Sequence, residues 1–196
     1  MMILNAKKCG PTYRFTDANV YWTLYYLSKG KYMGRRNLAS MVGIGEGSMR
    51  NVLKILKDWN FIIIENRGIM ISDEGRLFLQ SIPIEIVEEA DLQDYVGIQQ
   101  CCCGIIVFNQ SFKIQDGLKQ RDICVRSGAG GCITFIVKNK KLTIPPGRSL
   151  DAEYSGNLEK LENLLHLADG DVLILSYSAD KCVAANAAAT ASLDLI

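Results

Sequence analysis

The sequence predicts an α+β protein built in two parts. The first is a basic, mainly helical N-terminal domain that carries a short β-hairpin. The second is a C-terminal α/β sandwich of βαββαβ-like order. Three observations lead there. Residues 1–82 hold 12 Lys and Arg against 6 Asp and Glu, and residues 83–196 hold 10 against 15, so a formal net charge of +1 conceals a basic half and an acidic half. Apolar residues recur at helical spacing through most of residues 17–81, then give way to short continuous apolar runs beyond residue 100. The composition, 48% apolar and 22% charged over 196 residues, excludes disorder, collagen and coiled coil and suffices for two small cores. A basic half beside an acidic one is expected when one part meets a polyanion and the other does not.

The elements of the first half follow in order. Thr16 is placed to cap a helix over Asp17 to Ser28, with Val20, Leu24 and Leu27 at helical spacing among Tyr21, Trp22, Tyr25 and Tyr26. Residues 29–34 break it. A short helix from Arg35 to Met41 is expected to turn Leu38 and Met41 inward, and Val42-Gly43-Ile44 then turns the chain, Gly43 being free to take positive φ. A third helix, Glu46 to Trp59, sets Met49, Val52, Leu53, Leu56 and Trp59 on one face, opposite Glu46, Ser48, Arg50, Asn51, Lys54 and Lys57. Phe61 to Ile64, the turn Glu65-Asn66-Arg67-Gly68 and Ile69 to Ile71 read as strand, tip and strand, and Ser72 caps a last helix to Ser81.

Helix, helix, glycine turn, helix, two-stranded wing and helix is the order of a winged helix-turn-helix domain. The stretch RRNLASMVGIGEGSMRNVLKILKDWNFI, with Leu38-Ala39 in the second helix, Val42-Gly43-Ile44 in the turn and Ser72-Asp73-Glu74-Gly75 closing the wing, resembles the prokaryotic, archaeal-type winged-helix transcriptional regulators. The resemblance implies binding of duplex DNA. The pattern departs from the usual one at Gly45-Glu46-Gly47-Ser48, where regulators commonly carry a Ser cap and basic or hydroxyl residues. There Glu46 either opposes phosphates or accepts from cytosine N4, and each glycine weakens the first turn by roughly 1 kcal/mol.

Pro83 is expected to open an acidic linker, residues 83–95, between domains at 1–82 and 96–196. The second half then reads as a strand (Cys101 to Phe108), a helix (Ile114 to Ser127), two strands (Gly131 to Val137 and Lys141 to Ile144) about the turn Lys138-Asn139-Lys140, a loop at Pro145-Pro146-Gly147, a helix (Asn157 to Ala168), a strand (Asp171 to Tyr177) and an Ala-rich helix (Asp180 to Leu193). This is the order of a split βαβ sandwich. Three of its strands are continuously apolar, which implies that both faces of the sheet are covered. The stretches GLKQRDICVRSGAGG and GDVLILSYS are similar to those of archaeal winged-helix proteins whose C-terminal domain has no assigned function.

The chemistry-bearing residues point to binding. Arg50, Asn51, Lys54 and Lys57 on the outer face of the third helix, with Asn66 and Arg67 at the wing tip, suit base-edge and phosphate contacts, and Arg35 and Arg36 suit phosphate clamps. Seven cysteines, three of them consecutive, are no disulfide framework and imply reduced thiols. Adjacent Cys101, Cys102 and Cys103 alternate across a strand and are expected as buried small hydrophobes; Cys124 and Cys132 flank a turn and stand to approach one another. The single His166 leaves zinc without a ligand set. Ser127 to Gly131 follows a helix and precedes a strand, so it reads as a helix cap rather than a phosphate cradle. Lys119, Arg121, Asp122 and Arg126 read as an ion-pair ladder, of which Arg121 and Arg126, with Arg148 from the proline loop, form a candidate contact for a small anionic effector.

No catalytic triad, P-loop or dinucleotide fingerprint is present, and no cofactor is called for. No apolar run approaches the ~18 residues of a membrane span. The sequence therefore predicts a cytoplasmic, non-enzymatic transcriptional regulator that binds duplex DNA. Its C-terminal domain is expected to form a homodimer through Ala184, Ala185, Ala187, Ala188, Ala189 and Ala191 and to sense a metabolite. The alternative is a small-molecule enzyme that uses the winged helix as an interaction module.

Overall fold

The computed structural model describes residues 14–30, 32–88, 91–145 and 152–196, with backbone alone for 152–156. The chain divides into two compact units between Ile82 and Pro83.

The N-terminal unit contains α1 (Asp17–Ser28), α2 (Arg35–Val42), α3 (Glu46–Asp58), β1 (Ile62–Glu65), β2 (Gly68–Ile71) and α4 (Asp73–Ser81). This is the winged helix-turn-helix arrangement. At the start of α1 the Thr16 amide and hydroxyl both donate to Asn19 Oδ1, at 2.8 and 3.2 Å. Val20, Leu24 and Leu27 are fully buried, and Tyr21 and Trp22 nearly so, which makes α1 the central helix. Gly43, at φ 74°, takes the left-handed conformation that ends α2, and Ile44 N–H returns to the Ala39 carbonyl at 3.0 Å. The inward face of α2 is Leu38, Ala39 and Val42; Met41, expected inside, is exposed because it lies on the flank of that narrow stripe. Trp59 is likewise exposed rather than buried, since α3 ends at Asp58 and the indole packs edge-on against Phe61 instead of continuing the helix face.

β1 and β2 pair antiparallel from Ile62 with Ile71 to Glu65 with Gly68. The wing is tied to the body by a third segment: Met33 and Ile69 exchange two backbone hydrogen bonds, each 2.9 Å. Ser72 caps α4, accepting from Gly75 N–H at 3.0 Å while its hydroxyl donates to the Asn60 carbonyl at 2.6 Å. This draws α4 so close to the end of α3 that a Cβ on Gly75 would stand 2.2 Å from the Phe61 carbonyl oxygen.

The C-terminal unit contains β3 (Ile84–Val87), α5 (Leu92–Val96), β4 (Cys101–Val107), a 3-10 turn at Ser111–Lys113, α6 (Leu118–Arg126), β5 (Gly131–Lys138), β6 (Lys141–Thr143), α7 (Ala152–Leu164), β7 (Val172–Ser178) and α8 (Lys181–Leu193). The strands form one antiparallel sheet in the order β3-β4-β7-β5-β6. β4, α6 and β5 make a split βαβ unit with β7 inserted between its strands. The segment expected as an acidic linker is thus corrected: residues 84–87 alternate Ile, Glu, Ile and Val, and pair along β4 as an edge strand, and Leu92 and Val96 enter the core. The single helix expected over 114–127 begins only at Leu118, because Gly117 at φ 76° breaks the chain and the Asp116 carboxylate accepts from Leu118 N–H at 3.0 Å.

Both faces of the sheet are covered. Ile106, Phe135, Val137, Leu173 and Leu175 pack under α5 and α7 with Leu92, Val96, Leu158 and Leu161. The other face lies under α8, which packs on β4, β7 and α6. Ala184, Ala187, Ala188, Ala189 and Ala191 are therefore buried inside their own unit, and Ala185 half-buried, which removes the expected dimer face. Small side chains here let a helix approach its own sheet closely.

Gly75→Ala should lower stability by about 3 kcal/mol or more, because the clash is with backbone. Gly47→Ala, in open space within α3, should raise it by up to about 1 kcal/mol. Urea unfolding of both variants checks the contrast.

Candidate nucleic-acid interface

The site is built on α3, whose sequence buries Met49, Val52, Leu53 and Leu56 and so leaves the opposite face in solvent. Arg50, Lys54 and Lys57 stand on that face at i, i+4 and i+7, with Asn51 beside them, and all four are exposed. Among the described residues none of the three cations has an ion-pair partner. A cationic stripe on a protruding helix, unneutralised by its own protein, is what a phosphate-lined groove attracts.

Arg35 and Arg36 behave differently. Both reach Glu46 in the first turn of α3, Arg35 Nη2 to Oε2 at 3.5 Å and Arg36 Nε to Oε1 at 3.2 Å. Glu46 therefore meets neither solvent alone nor the cationic stripe; it joins the N-terminal turns of α2 and α3. The carboxylate also suits the positive end of the α3 dipole, and it offsets two cations placed at the unfavourable end of α2. The two arginines remain partly free, since Arg36 keeps 84% of its side-chain exposure. Ser48 does not join the stripe: it is half-buried and its hydroxyl donates to the Arg14 carbonyl at 3.4 Å.

Asn66 and Arg67 form the two-residue turn between β1 and β2, both exposed. The tip is braced from the loop before α2. Tyr32 donates its hydroxyl to Glu65 at 3.1 Å, and the Arg67 guanidinium carbon lies 6.0 Å from the Tyr32 ring centre. Tyr32 and Met33 were not legible as site residues, because nothing in the sequence marks a loop 30 residues upstream as the third rail of the wing. Glu46 was legible as a misfit, but its partners were not.

Of the candidate effector residues, the two described, Arg121 and Arg126, line no cavity found among the described residues. Arg121 pairs with its neighbour Asp122 at 2.9 Å, and Arg126 Nε donates to the Asp122 carbonyl at 3.3 Å, both on the exposed side of α6. Lys119 pairs with Asp194 at 2.6 Å, so the four residues form no continuous ladder. Arg148, Pro146 and Gly147 lie outside the described residues. An open cleft of about 840 Å³ is lined by Asp91, Gln93, Gln99, Gln100, Cys101, Cys102 and Ala179: amides, thiols and one carboxylate, with no cation. Cys101 is exposed, and Cys102 and Cys103 are half-buried, rather than sequestered as small hydrophobes, because β4 begins at the rim of this cleft. The Ser127 to Gly131 stretch is a helix cap as expected: Gly128 takes φ 92° and Ala129 N–H returns to the Cys124 carbonyl at 3.1 Å. Among the described residues no group of three or more His, Cys, Asp or Glu is arranged to hold a metal ion.

Residues 98–195, half of the chain, match a family described as "Domain of unknown function (DUF4443)". The chain belongs to that family. Residues 19–84 match the CggR N-terminal DNA binding domain, which supports a DNA-binding regulator whose C-terminal domain is unassigned. No curated protein matches the chain. Among solved structures, the hypothetical protein PH0730 from Pyrococcus horikoshii OT3 is 20% identical, with a TM-score of 0.73 over 93% of each chain; that likeness concerns the fold. No helix of the described residues is long and apolar enough to cross a membrane.

Because the Glu46 pairs are exposed, Glu46→Gln should change the unfolding free energy by less than about 1 kcal/mol. Chemical denaturation of the variant beside the parent protein measures this.

Proposed function

We propose that the chain is a cytoplasmic transcriptional regulator of the archaeal type, that α3 enters the major groove of duplex DNA, and that the wing contacts the adjacent backbone. The single observation that carries the reading is the exposed stripe of Arg50, Lys54 and Lys57, cations without ion-pair partners among the described residues. The match of residues 19–84 to a DNA-binding domain supports it independently. In this reading Arg50 and Asn51 reach base edges, Lys54, Lys57, Asn66 and Arg67 contact phosphates, and Arg35 and Arg36 exchange Glu46 for phosphate on binding. Ser48 holds the start of α3 against the chain before α1.

Affinity for DNA fragments from the parent genome, measured by fluorescence anisotropy, should fall linearly in log K against log salt, by roughly 0.9 per phosphate neutralised. Arg50→Ala or Asn51→Ala should relax sequence preference by about 1–3 kcal/mol at single positions, whereas Lys54→Ala or Arg67→Ala should weaken all sequences alike and reduce the salt slope. Glu46→Gln should tighten binding to all sequences. Salt-independent affinity, or four alanine variants with the same behaviour, would overturn the assignment.

One recognition helix reads few base pairs, so a homodimer is part of the reading. With α8 buried, the surface proposed for it is the outer side of α6, where Leu118 and Val125 stand exposed two turns apart beside Arg121 and Asp122. Adjacent opposite charges on one helix suit a twofold pairing of that helix with its copy. Effector sensing is assigned to the same unit, with the cleft lined by Asp91, Gln93, Gln99 and Gln100 as the place for a small polar molecule. Light scattering at micromolar concentration should give twice the monomer mass, and Val125→Glu should return it to a monomer; a parent protein that is itself monomeric refutes the dimer.

A further inference from the structure

The C-terminal half is acidic, yet three of the 10 Lys and Arg residues in 83–196 stand within four consecutive positions, at Lys138, Lys140 and Lys141. They form the tip of the hairpin between β5 and β6. Asn139 and Lys140 are its two loop residues, at φ 53° and 59°, which is the geometry of a type I′ turn. Positive φ at the second loop position favours glycine; here a lysine holds it. Lys138 and Lys141 are paired directly across the strands. Because Val137 and Leu142 beside them turn into the core under α7, the pleat sends both lysines to the opposite face. Like charges set opposite one another weaken a strand pair. The hairpin thus carries a side chain in a glycine conformation and a repelling pair, neither of which helps the unit to pack.

The carboxylates that reach this hairpin are used on its backbone. Asp169 accepts from Lys140 N–H at 2.7 Å, and Glu162 of α7 accepts from Leu142 N–H at 2.6 Å. Both bonds fix the tip, and the second occupies the outward amide of β6 that an added strand would need. Neither carboxylate is ion-paired with the hairpin. Among the described residues Lys138, Lys140 and Lys141 have no ion-pair partner, and all three are exposed. A fixed backbone therefore carries three unneutralised charges into solvent.

From this arrangement we infer that the β5–β6 hairpin is a second phosphate-binding element, which grips the backbone of duplex DNA outside the base pairs read by α3. The inference rests on the DNA-binding reading of the N-terminal unit. Lysine ammonium groups are point charges on flexible stems, and they suit phosphate without demanding a base sequence. Phosphates follow one another at roughly 3.4 Å of axial rise along a strand. Directly opposed residues have Cβ atoms about 5 Å apart, so Lys138 and Lys141 can each meet a phosphate, or share one and turn their repulsion into attraction. The tip has no apolar side chain for a bilayer surface to take up, which favours nucleic acid over lipid. Both units belong to one chain, so DNA held by α3 is at high effective concentration for the hairpin, and a contact too weak to act alone adds to the whole. It supplies affinity rather than sequence preference.

The test acetylates the full-length protein with limiting reagent, with and without duplex fragments of the parent genome, and maps the modified lysines by mass spectrometry. Lys138, Lys140 and Lys141 should be protected by DNA at low salt together with Lys54 and Lys57, while Lys181, exposed elsewhere on the same unit, should react equally in both samples. When Lys138→Gln, Lys140→Gln and Lys141→Gln are combined, the slope of log K against log salt should fall by roughly 2 to 3 with sequence preference unchanged, and arginine at the same three positions should restore it. Mapping of the parent protein decides the matter even if a variant fails to fold. Protection of Lys54 and Lys57 with none at the hairpin would overturn the inference and leave the recognition helix in place. Protection of the hairpin alone would support it and remove α3 from the interface; protection at neither place would overturn both. Protection of the hairpin by phosphatidylserine vesicles but not by DNA would overturn it in favour of a membrane surface.

Discussion

The C-terminal unit depends on a strand that arrives last but one in the chain and sits in the middle of the sheet. β7 pairs with β4 along seven residues and with β5 along six. Until it is in place, the backbone edges of β4 and β5 that face each other across the gap have no partner, and each would have to leave its amides and carbonyls to water. Val172, Leu173, Ile174 and Leu175 are fully buried because helices cover both sides of this strand. The alternation of the pleat then sorts the residues: Leu173 and Leu175 go to the large-side-chain layer under α5 and α7, and Ile174 and Ser176 go to the layer under α8. Asp171, just before β7, closes the joint, its two carboxylate oxygens accepting from Asn109 and Ala168 N–H, each at 2.9 Å. Such non-local pairing carries a high loop-closure cost, so this unit is expected to fold more slowly than the helical one.

The two layers differ in chemistry as well as in side-chain size. One holds Phe135 and leucines in a dry cluster. The other holds alanines, Ser176, Thr134 and three thiols, with α8 drawn down close enough for Cys124 to meet the carbonyl of Ala187. Small residues in α8 and a polar row on the sheet are two sides of one constraint: a helix that approaches so closely leaves room only for short side chains, and buried short polar side chains must find hydrogen-bond partners nearby.

The N-terminal unit solves a different problem, that of presenting cations without scattering them. α3 holds its stripe by burying four residues on the reverse side, and Glu46 holds the two α2 arginines close to the same helix. The wing is too short to be stable alone. It is held by the Met33 bridge, by the Ser72 cap that fastens α4 to the end of α3, and by the glycine at 75 that permits the approach.

Local pattern made several features legible. Periodicity marked α1, α3 and α4 and the hairpin between them, and it placed Arg50, Lys54 and Lys57 on a solvent face because the residues between them had to be buried. Gly43, Ser72 and Gly128 carried their roles in their side chains, or in the lack of one. The continuous apolar run at Val172 to Leu175 announced a strand covered on both sides. What the sequence by itself determined is therefore what depends on spacing along one element. The tertiary structure alone decided which strand inserts between β4 and β5, that residues 84–87 serve as an edge strand instead of a linker, that the alanines of α8 cover their own sheet rather than a second copy, and that Glu46 meets Arg35 and Arg36. Each of these is a pairing between segments far apart in the chain, fixed by which surfaces remain to be buried once the local elements exist, and periodicity within an element holds no information about its neighbour.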